Sequence, residues 1–267
     1  MMFAGPTKPY RKSGTQSPSP KEYTLIRGIA PVVPAERLIV ALDFPGTAEA
    51  LSLVDQLEGA SRWFKVGLEL YLAEGNALVA ELRRRGFSVF LDLKFHDIPN
   101  TVASAVRSAG RLGVSMLTLH AAGGPDMLAA AVQAAGETDA SLALLAVTVL
   151  TSMDAAQLEA TGVHGSAAGQ VEKLASMAFA CGVQGFVCSA VEVASLRSRF
   201  GSGPLLVIPG IRPQGAANGD QRRVATPAAA ITPGASYLVV GRPITRAADP
   251  GAAARAILAE IQAATGK

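Results

Sequence analysis

Eight short aliphatic runs, separated by Ala- and Leu-rich stretches of helical period, constrain this chain more than any other feature. The runs fall at 37–43, 63–67, 87–94, 115–120, 142–150, 184–189, 204–209 and 236–241. Helical spacing occupies 47–58, 69–85, 100–112, 124–135, 166–181, 190–199 and 249–264. Gly59, Gly86, Gly113, Gly136, Gly182 and Gly201 stand where such helices would end. The runs are continuously hydrophobic rather than alternating, as parallel strands are when both faces are covered. Such βα units close naturally into a (β/α)8 TIM barrel, and the 267 residues suit one barrel domain. A doubly wound open sheet is the alternative, weakened because no GxGxxG follows the first run.

Residues 1–33 lack this rhythm. They are rich in Pro, Ser, Lys and Gly, and a disordered N-terminal extension is predicted there, leaving 34–267 as the barrel. Lys8, Arg11, Lys12, Lys21 and Arg27 face Glu22 alone in that stretch, whereas the whole chain carries a net charge of only +3. The body is therefore close to neutral, and no nucleic-acid face is expected. The apolar run at 142–150 is shorter than the roughly 20 residues that cross a bilayer. The first residues hold no continuous apolar segment after their charges, so no secretory signal is expected. Cys181 and Cys188 fit no CxxC or zinc spacing and read as two buried, reduced thiols in a cytoplasmic protein.

In a barrel of this kind the active site lies at the C-terminal ends of the strands. The polar residues there are Asp43 after the first run, Lys65 in the second, and Asp92 and Lys94 in the third. Asp97 follows in the next loop, and His120 ends the fourth run. Thr151 and Ser152 follow the fifth, Arg212 the seventh, and Gly241 and Arg242 the eighth. Asp43 either caps the following helix or belongs to a site. Lys65, between Phe64 and Val66, snorkels or serves chemistry. Asp92 and Lys94 are two apart and so share one face of a strand. A structural ion pair there would add little net stability, which favours a functional reading. His96 and His120 read as structural, and His164 as exposed. No His/Asp/Glu spacing points to a metal. Arg212 and Arg242 each lie close after a glycine at strand ends seven and eight, a recurrent phosphate site in such barrels. Neighbouring carboxylates favour the ammonium form of a lysine, which can stabilise developing negative charge and then donate a proton to it.

The stretch "LDLKFHDIPNT" at 91–101 resembles the D-x-K-x-x-D-I-P-x-T signature of the orotidine 5'-phosphate decarboxylase family. The blocks "IVALDFP", "FKVGLEL", "LTLHAAGG", "VTVLTS", "PGIRP", "GDQRR" and "LVVGRPIT" follow the family order, over roughly 36–265, and resemble its bacterial branch. The resemblance implies decarboxylation of orotidine 5'-monophosphate to UMP and CO2 in de novo pyrimidine biosynthesis, with no metal or organic cofactor. It implies that Lys94 protonates C6, that Asp92 sits near the departing carboxylate, and that Lys65 and Asp97 complete the charge network. It also implies that Asp43 and Lys65 hold ribose hydroxyls and that Thr151 and Ser152 contact the pyrimidine. Gln221, Gly241 and Arg242 would take the phosphate, with Arg212 nearby. A homodimer is implied, in which Asp97 and Thr101 reach into the partner's site.

Two other readings compete. One is a Mg2+-dependent sugar-phosphate decarboxylase or aldolase of the same superfamily, which shares the D-x-K-x-x-D core; "IPNT" and "GDQRR" argue against it. The other is a non-catalytic phosphate-binding barrel, which has no need of the array Lys65, Asp92, Lys94 and Asp97.

Overall fold

The computed structural model describes residues 33–57, 59–138, 141–213 and 223–266. Most of the expected N-terminal extension, and Gln221, lie outside the described residues. Eight strands form in the expected places: β1 (Leu38–Ala41), β2 (Trp63–Gly67), β3 (Ser88–Phe95), β4 (Met116–His120), β5 (Ala143–Val147), β6 (Gly185–Val187), β7 (Leu205–Ile208) and β8 (Tyr237–Val240). All neighbours are parallel, and β8 returns to β1 to close a barrel in sequence order. The open sheet is thereby excluded.

The long helices are α1 (Thr47–Gln56), α2 (Leu68–Arg84), α3 (Pro99–Arg111), α4 (Gly124–Gly136), α6 (Ala167–Ala180), α7 (Val193–Phe200) and α10 (Pro250–Thr265). Three short ones, α5 (Ala155–Ala160), α8 (Pro227–Ile231) and α9 (Arg242–Thr245), were not legible as periodic segments. Four to six residues are too few to display a 3.6-residue period. Among the described residues no helix is long and apolar enough to cross a membrane.

Alternate strand residues point into the barrel, and their character changes along its axis. Towards the N-terminal end the interior is apolar: Ile39, Trp63, Phe90, Met116, Leu145, Leu205 and Tyr237 form one buried cluster. Trp63 and Tyr237 pack with ring centroids 5.2 Å apart. One inward step further along, the same parity brings Ala41 level with Lys65, while Gly67 lies level with Asp92. The other parity, including Leu38, Val40, Phe64, Val66, Val89 and Leu91, packs outward against the helices in the main core. The barrel is thus plugged at one end and charged at the other, so the site opens at the C-terminal mouth.

Candidate active site

Four charged side chains alternate in sign across the mouth. Lys65 Nζ lies 2.9 Å from Asp43 Oδ1 and 3.6 Å from Asp92 Oδ2, and Lys94 Nζ lies 2.8 Å from Asp92 Oδ1. The Asp92 and Lys65 side chains are only 13% and 11% exposed, so both charges are withdrawn from water. Burial alone would push the Asp92 carboxyl upward. Lys65 and Lys94, with hydrogen bonds from Lys94 and Thr118, more than offset it and hold Asp92 below its usual range. Lys65 does not snorkel to solvent; it is buried between two carboxylates. Nor does Asp43 cap a helix. The residue before α1 is Gly46, and Asp43 instead pairs with Lys65.

The single-face reading of Asp92 and Lys94 finds the right partners in an irregular strand. The β3–β4 register shifts between Leu91 and Phe95. Within that bulge Lys94 has φ 52°, the only positive φ of a non-glycine residue among those described. Such a conformation needs support from its surroundings. Thr118 of β4 supplies it. Its buried Oγ1 accepts the Lys94 backbone N–H at 2.9 Å and donates to Asp92 Oδ1 at 3.0 Å. Sequence reasoning missed Thr118, although a hydroxyl two residues before His120, in an otherwise apolar strand, shares that residue's inward parity.

Replacing Thr118 with valine removes both bonds and the donor that stabilises the charged Asp92. The Asp92 carboxyl should therefore rise towards its usual range, and the acid limb of kcat/KM should move to higher pH. Hydrogen bonds to charged groups are worth about 1.5–3 kcal/mol, so kcat/KM should also fall about tenfold or more. Thr118→Ser should retain the wild-type profile.

Opposite the charge array, the Thr151–Ser152 turn after β5, Arg212 after β7, and Gly241 with Arg242 after β8 line the same cavity, of about 290 Å3. That is a pocket for one small molecule. Arg212 is buried, with its Nη1 donating to the Ile211 carbonyl at 2.8 Å. Its backbone N–H donates to Ala225, so the chain entering and the chain leaving 214–222 meet there. Asp97 and Thr101 are exposed and do not line the cavity, and the Asp97 carboxylate accepts the Ile98 N–H at 2.6 Å.

The His96 and His120 rings lie 5.5 Å apart; burial, then the charges of His96 and Lys94, lowers the pKa of His120. His164 is exposed, as expected. Cys188, just past the end of β6, is buried, and burial pushes its thiol up, but Cys181, at the C-terminal end of α6, is only partly buried. Among the described residues no three His, Cys, Asp or Glu side chains converge as a metal-ligand set. The arrangement offers fixed ammonium groups beside a buried carboxylate on one wall, and two arginines on the other. It suits a small anionic substrate on which negative charge develops.

The chain is similar to known proteins in sequence and fold. Residues 36–257 match the family described as orotidine 5'-phosphate decarboxylase / HUMPS. The chain is 55% identical to the orotidine 5'-phosphate decarboxylase of Halorhodospira halophila (strain DSM 244 / SL1), covering 85% of this chain and 97% of that one. It is 54% identical to the enzyme of the same name from Anaeromyxobacter sp. (strain K), over 85% and 99% of the two chains. Among solved structures, the orotidine 5'-phosphate decarboxylase of Lactobacillus acidophilus superposes with a TM-score of 0.75 at 39% identity, covering 85% of this chain and 99% of that one.

Proposed function

Because the chain belongs to the orotidine 5'-phosphate decarboxylase / HUMPS family, we propose that its barrel mouth performs that decarboxylation through the Lys65–Asp92–Lys94 array. The reaction converts orotidine 5'-monophosphate to UMP and CO2, a step of de novo pyrimidine biosynthesis. The observation that carries the mechanism is the Lys94 ammonium, 2.8 Å from the buried Asp92 carboxylate and facing the cavity.

Loss of CO2 leaves an electron pair at C6 of the pyrimidine. Lys94, which lines the cavity beside Asp92, stabilises that charge and then gives it a proton. Asp92 fixes the ammonium in place and opposes the substrate's own carboxylate, so the array is organised for the charge that develops rather than for the ground state. Lys65, held between Asp43 and Asp92, completes the alternation and, with Asp43, takes the ribose hydroxyls. Thr151 and Ser152 face the base. Arg212, Gln221, Gly241 and Arg242 take the phosphate, using guanidinium forks and backbone N–H groups.

Asp97 and Thr101 serve the site of a second copy in a homodimer. Their exposure supports this, and so does the apolar side chain between them, Ile98, which is 66% exposed just before α3. The catalytic unit is residues 34–267, and deleting 1–33 should leave kcat/KM unchanged. The free thiols of Cys181 and Cys188 suit a reducing, cytoplasmic setting.

The test is the absorbance change as purified protein converts orotidine 5'-monophosphate to UMP, run with and without EDTA. Turnover unaffected by EDTA is expected. Turnover abolished by EDTA and restored by Mg2+ would favour the metal-dependent branch, and no UMP under any condition would overturn the reading.

A further inference from the structure

One buried ion pair near the mouth lies outside the array just described. Glu192 closes the single turn Ala190–Glu192 after β6 and is 5% exposed. Its Oε1 meets Nη1 of Arg223, and its Oε2 accepts the Ser189 N–H. Arg223 Nη2 donates to the carbonyls of Val149 and Leu150, both at 3.2 Å. A buried ion pair contributes little net stability by itself. This one also leaves Arg223 Nε and Ser189 Oγ buried with no hydrogen-bond partner among the described residues. Stability alone is a weak reason for it.

Its location supplies a better one. Val149 and Leu150 immediately precede Thr151 and Ser152, and the Leu150 carbonyl also accepts the Met153 N–H at 2.9 Å. Arg223 therefore grips the root of the turn that carries Thr151 and Ser152 to the cavity. Two residues beyond Arg223, Ala225 exchanges backbone hydrogen bonds with Gly210 and Arg212. One guanidinium thus ties the wall bearing Arg212 to the wall bearing Thr151 and Ser152, and Glu192 fixes its direction from β6. A planar fork presents two separate nitrogens in a fixed geometry, Nη1 to the carboxylate and Nη2 to the two carbonyls, where an ammonium offers a single nitrogen.

We infer that Glu192 and Arg223 are a positioning pair that sets the Thr151–Ser152 turn against the base of the bound nucleotide. The inference rests on the proposed function, in which that turn faces the pyrimidine. Losing the pair should weaken ligands that present a base and spare those that present only ribose and phosphate.

The test compares the affinities of UMP and ribose 5-phosphate by calorimetry in Glu192→Gln, Arg223→Lys and the double variant Thr151→Ala/Ser152→Ala, with folding checked by thermal melts. Glu192→Gln keeps the size of the side chain and a neutral acceptor, and Arg223→Lys keeps the positive charge, so either can keep the proposal testable should the other fail to fold. UMP should bind about tenfold more weakly in each variant, with ribose 5-phosphate changed less than about twofold. Equal loss of both ligands in Glu192→Gln and Arg223→Lys, or a lowered melting point with neither ligand affected, would overturn the pair's role. Unchanged UMP binding in the Thr151→Ala/Ser152→Ala protein would instead overturn the base contact itself, and the pair's role with it.

Discussion

Lys94→Ala should reduce kcat by at least about 10³-fold, within the range expected when a positioned proton donor is lost. UMP affinity should change far less, because an interaction made mainly in the transition state acts on kcat. The same substitution should alter the response to acid. In the intact protein Asp92 sits below the usual carboxylate range, so its charge stabilises the fold above that range, and the contribution disappears as pH falls through the lowered value. Removing Lys94 leaves a buried carboxylate with Lys65 as its remaining ammonium partner, 3.6 Å away. The effect of burial then gains on the attraction, the Asp92 carboxyl rises, and acid unfolding should begin at higher pH. Steady-state kinetics and an acid titration followed by circular dichroism check both halves. Loss of turnover without a shift in acid unfolding would detach Lys94 from the energetics of Asp92.

The second large effect follows from the proposed homodimer. Asp97→Ala should be nearly inactive although Asp97 does not line its own chain's cavity. Each protein alone, Lys94→Ala or Asp97→Ala, has every site spoiled. In a two-fold dimer mixed at equal ratio, half of the dimers are hybrids, and each hybrid holds one intact site. About a quarter of wild-type activity should return on mixing. No recovery after subunit exchange has been demonstrated by mass or fluorescence would remove Asp97 from the partner's site.

The barrel was legible because its signals are local. Buried parallel strands are continuous apolar runs, and the helices between them are long enough to display their period. Gly86 marks the end of α2 with φ 83°, as its place in the sequence implies. The site was partly legible for the same reason, since a charged residue at the end of an apolar run is conspicuous. What sequence reasoning could not reach were the contacts made across strands. For Asp43 the sequence left a helix cap and a site residue equally open, because "DFPGT" is a good helix entry, and only its contact with Lys65, 22 residues away, decides between them. The bulge at Lys94 breaks the strict alternation on which the pairing with Asp92 was argued, and the hydroxyl that holds that bulge comes from β4. Glu192 and Arg223 lie 31 residues apart and carry no local sign of each other. The roles of Asp97 and Thr101 rest on family resemblance, because one chain by itself does not bring them to its cavity.

The proton donor is the centre of this mechanism, and the reverse reaction isolates it. A group that protonates C6 after CO2 leaves must also, by microscopic reversibility, remove the C6 hydrogen of bound UMP. Incubating UMP with the enzyme in heavy water and following its C6 hydrogen by proton NMR measures that step without decarboxylation. Slow deuterium incorporation at C6 is predicted for wild-type protein, with none above background for Lys94→Ala. Exchange at an undiminished rate in Lys94→Ala would contradict the assignment of Lys94 as the donor.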